Sequence, residues 1–281
     1  MDPNGDRVIE YYDQCHKDYR LAWKTEQNLA IHYGFYDETA RSFDQAAINS
    51  NRVLANALRV KPGDHVIDAG CGVGGTSIWL AQNVGCSMLA VNIQPMHIDI
   101  GRREVEARGL TDRVRFLEAD FTRIDAPAAS ADAMFSLEGL SHGPDKQAFF
   151  NESARLLKPG GRLVLFEYFT KEEPLTAAQH RRLEKFKAGW AMPSLPRVST
   201  YRQLAAQAGF SAVDWVDTTA NVLPDSRRMM LLSSLALPRT FYRVWRGRRP
   251  AAVLGNRLSA WLQYRLFRQR TLHYGILTAT L

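Results

Sequence analysis

A carboxylate stands before a run of glycines in Val66-Ile67-Asp68-Ala69-Gly70-Cys71-Gly72-Val73-Gly74-Gly75. Glycines let a backbone turn tightly and approach a bound group with no Cβ in the way, and a following helix offers its N-terminal N–H groups. Gly70, Gly72 and Gly75 also satisfy the GxGxxG spacing of dinucleotide sites, so the turn alone does not choose a ligand. Its neighbours discriminate. Asp68 sits where a carboxylate repels a nucleotide phosphate and welcomes an ammonium. The next strand tip, Val91-Asn92-Ile93, lacks the acid that grips a ribose about 20 residues after a dinucleotide turn. Glu118-Ala119-Asp120-Phe121 then closes a further strand with an acid and a ring, suited to an exocyclic amine and an adenine face.

Two more reactive groups follow the stretch Ala131–Leu137: Glu138 directly, and His142 four residues on. In open α/β sheets ligands sit beyond the carboxyl ends of the strands, so Glu138 should point at a reacting group. It could take a proton or stabilise a cation; the bland alternative is a carboxylate that bonds backbone groups. For His142 the alternative is a helix cap or a core histidine.

The elements that must position these groups alternate. Val66–Asp68, Ser87–Ile93, Val114–Ala119, Ala131–Leu137 and Gly161–Phe169 read as strands, the last after the turn Lys158-Pro159-Gly160-Gly161. Thr76–Val84, Ile98–Arg108 and Lys146–Leu157 read as the helices between them. Strands separated by helices mean βαβ units and a mostly parallel, doubly wound, Rossmann-like α/β sheet covered on both faces. Residues 1–60 read as helical. Beyond residue 170, helices are expected at Thr176–Trp190, Tyr201–Ala208, Arg227–Leu237 and Ala251–Arg268, with strands at Ser211–Thr218 and Tyr274–Ala279. This divides the chain into a helical lid (1–50), a sheet core (51–170) and an acceptor-binding cap with the last strands (171–281).

Of 281 residues, 36 are Lys or Arg and 29 Asp or Glu, a net charge of +7. The excess is local: no acid follows Asp225, while that stretch holds eleven arginines. The basic balance therefore describes one C-terminal segment and argues against a polyanion binder of the whole chain. Ser136-Leu137-Glu138-Gly139 lacks the Pro-Pro-aromatic turn of amino-group DNA methyltransferases, which speaks against nucleic acid as the partner. Cys15, Cys71 and Cys86 are an odd number without a CxxC pair, which argues for free thiols in a reducing cytoplasm and against disulfides or a zinc site. No signal peptide or membrane span is visible.

Asp68-x-Gly70-x-Gly72-x-Gly74, Ala119-Asp120-Phe121 and Leu156-Leu157-Lys158-Pro159-Gly160-Gly161 together resemble class I S-adenosylmethionine-dependent methyltransferases over roughly residues 50–170. Tyr11-Tyr12-Asp13, His32-Tyr33-Gly34-Phe35-Tyr36, Ser136–His142 and Tyr274-Gly275 are similar to the tocopherol and quinone methyltransferases and their natural-product relatives. The resemblance implies S-adenosyl-L-methionine as cofactor. Asp68, Gly70, Cys71, Gly72 and Gly74 would then surround its methionine part, and Asp120 with Phe121 the adenine. Asn92 would meet the ribose in place of the usual acid, helped by Gln94, with Tyr12 and Leu137 completing the contacts. Glu138, His142 and Tyr11 are the candidate catalytic groups, and Tyr11, His32, Tyr33, Glu138 and Trp190 the candidate acceptor contacts, with Trp23, Met192 and Trp215 as further cavity candidates.

The expected reaction is methyl transfer to an apolar prenylated, terpenoid or aromatic molecule. Carbon is preferred as the acceptor atom because Glu138 supplies a carboxylate beside aromatic residues, with N- or O-methylation of an alkaloid or quinol as the alternative. A non-catalytic cofactor-binding partner protein is the rival from another class. For the arginines three functions stay open beside simple solvation: gripping an acceptor diphosphate, contacting nucleic acid, or lying on an anionic membrane. For the membrane reading, Leu254, Leu258, Trp261, Leu262 and Leu266 would form the apolar face.

Overall fold

A computed structural model describes residues 3–23 and 28–281. Its seven-stranded sheet has the order β3-β2-β1-β4-β5-β7-β6. The strands are β1 (His65–Ala69), β2 (Ser87–Asn92), β3 (Val114–Glu118), β4 (Ala131–Leu137), β5 (Leu157–Thr170), β6 (Ser211–Asp217) and β7 (Leu272–Thr280). The first five pair in parallel, and β7 runs antiparallel to both β5 and β6. The fold is the expected Rossmann-like α/β architecture. Both faces of the central strands are buried because those strands are apolar on both sides. Leu163, Leu165 and Phe169 of β5 join one core layer with Phe149, Phe150 and Tyr201. The alternating Val164, Phe166 and Tyr168 join the other with Leu54, Ile98 and Phe267.

The helices of the core are α2 (Phe43–Leu58), α3 (Gly75–Asn83), α4 (Pro95–Ala107), α5 (Lys146–Leu156) and α7 (Val198–Gln207). The cap holds α1 (Pro3–Trp23), α6 (Ala177–Gly189), α8 (Thr219–Trp245) and α9 (Ala251–Arg268), with α9 packed against the other three.

Two readings need correction. The N-terminal 60 residues are not helical throughout: residues 30–36 are irregular, with the amides of Tyr33, Gly34 and Phe35 bonded to Glu138, Asp225 and Ala46 O instead of to a helix of their own. The expected helix Arg227–Leu237 is the middle of the much longer α8, which runs through Pro224 and Pro238. Each proline removes a donor and argues for a stop, but burial of Val222, Met229 and Ser233 carries the helix through.

The strand order reverses between β1 and β4, which opens a crevice beyond their carboxyl ends. Two glycines let the tips approach there. Gly70 has φ +90°, and a Cβ on Gly139 would stand 2.9 Å from Ala69 O.

Candidate active site

Two cavities meet in this crevice. The first is lined by Asp68, Gly70, Cys71 and Gly72 from the β1 turn, by Asn92, Phe121 and Leu137 from other strand ends, and by Leu29, Ile31 and His32 from the N-terminal segment. The second, about 260 Å³, lies under the cap and is mostly apolar, with Tyr19, Trp23, Tyr168, Trp190, Met192, Met229 and Leu232 in its wall. Tyr12, Ile31, Glu138 and His142 line both cavities.

Asp68 is the buried acid of the first cavity. Its Oδ2 accepts a 2.7 Å bond from the Ser77 hydroxyl. Burial pushes the carboxyl up to about 7, and the Ser77 bond opposes this. A carboxylate so desolvated, beside bare glycine backbone, suits a ligand that brings a positive charge. Asn92 Nδ2 donates to Gly72 O at 3.1 Å and its Oδ1 accepts from the Gln94 amide, so the residue braces the glycine turn while lining the cavity.

Glu138 is the junction. It adopts φ +60°, a left-handed conformation that costs a non-glycine residue of order 1–3 kcal/mol. Its amide donates to Phe166 O, so the kink is pinned to β5. Oε1 accepts 2.8 Å bonds from the Tyr33 amide and the Tyr274 hydroxyl, and Oε2 accepts a 2.9 Å bond from the Tyr168 hydroxyl. Burial pushes the carboxyl up to about 8, against the pull of the three donors. The result is an oriented carboxyl between the two cavities whose charge is set near neutral pH.

His142 Nε2 lies 3.2 Å from Tyr12 Oη, and Nδ1 lies 3.4 Å from Ala191 O. Burial lowers its pKa to about 4, so the ring is neutral at pH 7. Since a carbonyl only accepts, Nδ1 carries the proton and Nε2 takes the Tyr12 hydroxyl bond. The turn Leu140–His142 is fastened from behind by two buried charges. Lys146 Nζ donates to the carbonyls of Leu140 and Gly143, and Glu167 Oε1 accepts from the Ser141 amide.

Several expected site residues lie elsewhere. Tyr11 lines neither cavity: its hydroxyl bonds Tyr19 and its ring lines a separate cleft with Gly189, Gly255 and Leu258. On a helix, adjacent residues diverge by about 100°, so only one of Tyr11 and Tyr12 can face the junction. Tyr33 is buried behind Glu138, where its ring packs on Trp23, Tyr168 and Tyr274, and it meets the site through its amide. Gln94 is spent on α1, donating to Ile9 O and Asp13 at 3.1 Å, and lines neither cavity. Asp120 is absent from both linings; its carboxylate accepts from the amide and hydroxyl of Thr122. Gly74 caps α3 at φ +82°, and a Cβ there would overlap the Phe116 ring. Trp215 packs on Phe169 and His273 in the sheet, away from both cavities.

Nothing in the local sequence marks Tyr168 and Tyr274 as partners of Glu138, or Asp18 as a residue of the second cavity. Gly275, next to Tyr274, lets β7 lie against β6, since a Cβ there would stand 2.3 Å from Trp215 Nε1. Asp18 of α1 binds Arg257 at 2.7 Å and Arg249 at 3.1 Å. Arg228 is taken by Asp225 and lies over the Phe43 ring. Three of the eleven arginines are thus structural. The apolar residues of α9 are not a free face either: Leu266 is buried, Leu254, Trp261 and Leu262 are partly covered, and Leu258 alone of the five is exposed. Because Asp18 is the joint acid partner linking α1 to α9, Asp18→Ala should destabilise the fold by roughly 2 kcal/mol, discounted for the partial exposure of the arginines. Calorimetry should show a melting temperature lower by several degrees; an unchanged value would mean that α1 is held by its apolar contacts.

Residues 66–161 match the family model of a methyltransferase domain. Methyltransferase GfsG of Streptomyces halstedii is 29% identical over 237 residues, 82% of this chain and 82% of its own length. The sterol 24-C-methyltransferase of Eremothecium gossypii is 29% identical over 210 residues, 73% of this chain and 56% of its own, so the chain spans little more than half that relative. Among solved structures, the mycolic acid cyclopropane synthase CmaA1, complexed with S-adenosylhomocysteine and CTAB, superposes with a TM-score of 0.84. It is 18% identical, with 100% of this chain and 99% of that chain covered.

Proposed function

Because the chain is a class I S-adenosylmethionine-dependent methyltransferase, we propose that it acts on small hydrophobic molecules and methylates a carbon atom of an apolar acceptor without a diphosphate, of the terpenoid, prenylated or aromatic kind. The observation that carries this reading is Glu138, a carboxyl oriented by three donors where the two cavities meet. The first cavity is the proposed cofactor site, with Asp68 receiving the ammonium, Phe121 the adenine and Leu137 the chain between. Bound S-adenosylmethionine supplies a methyl group on a sulfonium, which leaves as a neutral thioether. Alignment is the first requirement of such a displacement. Tyr12, Ile31 and His142 shape the passage between the cavities, and Trp190, Met192 and Tyr168 hold the acceptor in a dry, ring-lined space. When an alkene carbon takes the methyl, positive charge develops on the acceptor. Glu138 stabilises it and then takes the proton whose loss restores the double bond.

The absence of a diphosphate rests on the wall of the second cavity. Arg257 is its one arginine or lysine among the described residues, it is held in an ion pair by Asp18, and that carboxylate lies in the same wall, where it would repel a diphosphate. A second reading has a specific observation behind it: Tyr12, which lines both cavities, donates its hydroxyl to neutral His142 Nε2, a pair that can relay a proton away from an acceptor hydroxyl or amine. The test is mass spectrometry of incubations with quinols, terpenoid alkenes, indole-type alkaloids and prenyl diphosphates. A product one methylene heavier, with the new methyl on carbon, is expected from an uncharged alkene or aromatic acceptor. Methyl on oxygen or nitrogen would put the His142 reading in its place, and turnover of the prenyl diphosphates alone would overturn the assignment of the cavity.

A further inference from the structure

The second half of α8 shows an apolar face that no described residue covers. Leu231, Leu235, Pro238, Tyr242 and Trp245 recur at four- and three-residue intervals, which places them along one side of the helix. Leu235 is 82% exposed, Trp245 70% and Phe241, beside them, 62%. Isolated exposed apolar residues need no explanation, but a contiguous stripe of large ones does. Its margin is cationic: Arg239 and Arg246 are exposed, Arg243 partly so, and Arg248 follows in the turn after the helix. None of these four forms an ion pair with a described residue, and no acid occurs anywhere after Asp225. The inner side of the same helix carries Met229, Leu232, Ser233 and Ala236, which line the second cavity.

We propose that this face of α8 seats in the surface of an anionic lipid bilayer, with Leu235, Phe241 and Trp245 among the acyl chains and Arg239, Arg243, Arg246 and Arg248 at the headgroups. The combination is that of an interfacial helix: large aliphatic and aromatic residues on one side, with arginine and no acid on the flank. A second protein copy would bury the stripe equally well but would leave four like charges facing four others across a two-fold axis. Anionic lipid neutralises them. Seated in this way, α8 stands between the bilayer and the acceptor cavity, so an apolar acceptor reaches the site from the membrane rather than through water. Only that use rests on the apolar-acceptor reading; the docking itself does not.

The test is sedimentation of the full chain with vesicles of phosphatidylcholine, alone or mixed with phosphatidylglycerol at about three to one. Binding should be at least about tenfold stronger to the mixed vesicles and should weaken with salt. Phe241→Glu with Trp245→Glu should abolish it, and Arg239→Gln with Arg246→Gln should cut it about tenfold. None of the four side chains lines either cavity, so S-adenosylhomocysteine affinity should be unchanged in every variant, which shows that each is folded. No vesicle binding, or binding that survives the glutamates, would overturn the proposal. A dimer by light scattering that the glutamates dissociate would overturn it in favour of a second copy. Since no acceptor is present, a negative result leaves the methyl-transfer reading standing.

Discussion

Glu138→Gln should keep S-adenosylhomocysteine affinity within about twofold and lose at least a hundredfold in turnover, about 3 kcal/mol of transition-state stabilisation. The amide is isosteric with the carboxyl, and its oxygen can still accept from the Tyr33 amide and the Tyr274 hydroxyl, so the kink after β4 should survive. What disappears is the negative charge and the basic oxygen. The pH dependence gives an independent check. Burial holds the Glu138 carboxyl up to about 8, far above a solvated glutamate. The reactive carboxylate therefore grows as pH rises, and kcat/KM, which reports the free enzyme, should climb through a limb near pH 8. In kcat the limb should lie lower, because a bound sulfonium favours the charged form. Both limbs should vanish in Glu138→Gln. For stability the sign is opposite to the usual carboxylate. A raised folded value means that ionisation costs folding free energy progressively between the unfolded value and about pH 8, so Glu138→Gln should melt higher than the parent at pH 9. Unchanged turnover would remove Glu138 from the chemistry and leave it as a brace for three strand ends.

Asp68→Ala should weaken S-adenosylhomocysteine binding about 30-fold or more, since a charge-assisted bond contributes roughly 1.5–3 kcal/mol. Asp68→Asn separates charge from shape. It can still accept from the Ser77 hydroxyl, so a merely structural role predicts recovery, whereas recognition of an ammonium predicts a loss close to that of alanine. Burial holds Asp68 up to about 7, so affinity in the parent should fall as pH drops below that value and the carboxylate is protonated, while the asparagine variant should be flat. Titration calorimetry between pH 5.5 and 8 reads all three. Equal affinity in parent and alanine variant would sink the assignment of the cofactor site.

The glycine turn was legible because its information is local. Asp68, Gly70 and Gly72 are neighbours, and a strand followed by a helix leaves them one place to go. Glu138 was legible for the same reason, one residue beyond the end of β4. For Tyr11, Gln94 and Asp120 local sequence does not suffice. Each lies next to a residue that does line a cavity, and the direction of a side chain depends on where its helix or loop docks. Gln94 turned to α1, Asp120 to Thr122, and Tyr11 to the far side of its own helix.

The arginines show the same division. Residue types alone place the cationic excess after Asp225, and the alternation of strands and helices dictates the mostly parallel sheet. Arg249 and Arg257 are occupied by Asp18, more than 200 residues away, and the uncovered apolar side was decided by packing: α9 buries Leu266 and partly covers Leu254 and Leu262, while α8 leaves Leu235 and Trp245 in solvent. Glu138 marks the boundary between the two kinds of information. Its identity and its place at a strand tip are written in a few consecutive residues. Its charge is set by burial and by donors from positions 33, 168 and 274, which only the closed sheet brings within 3 Å of one carboxyl.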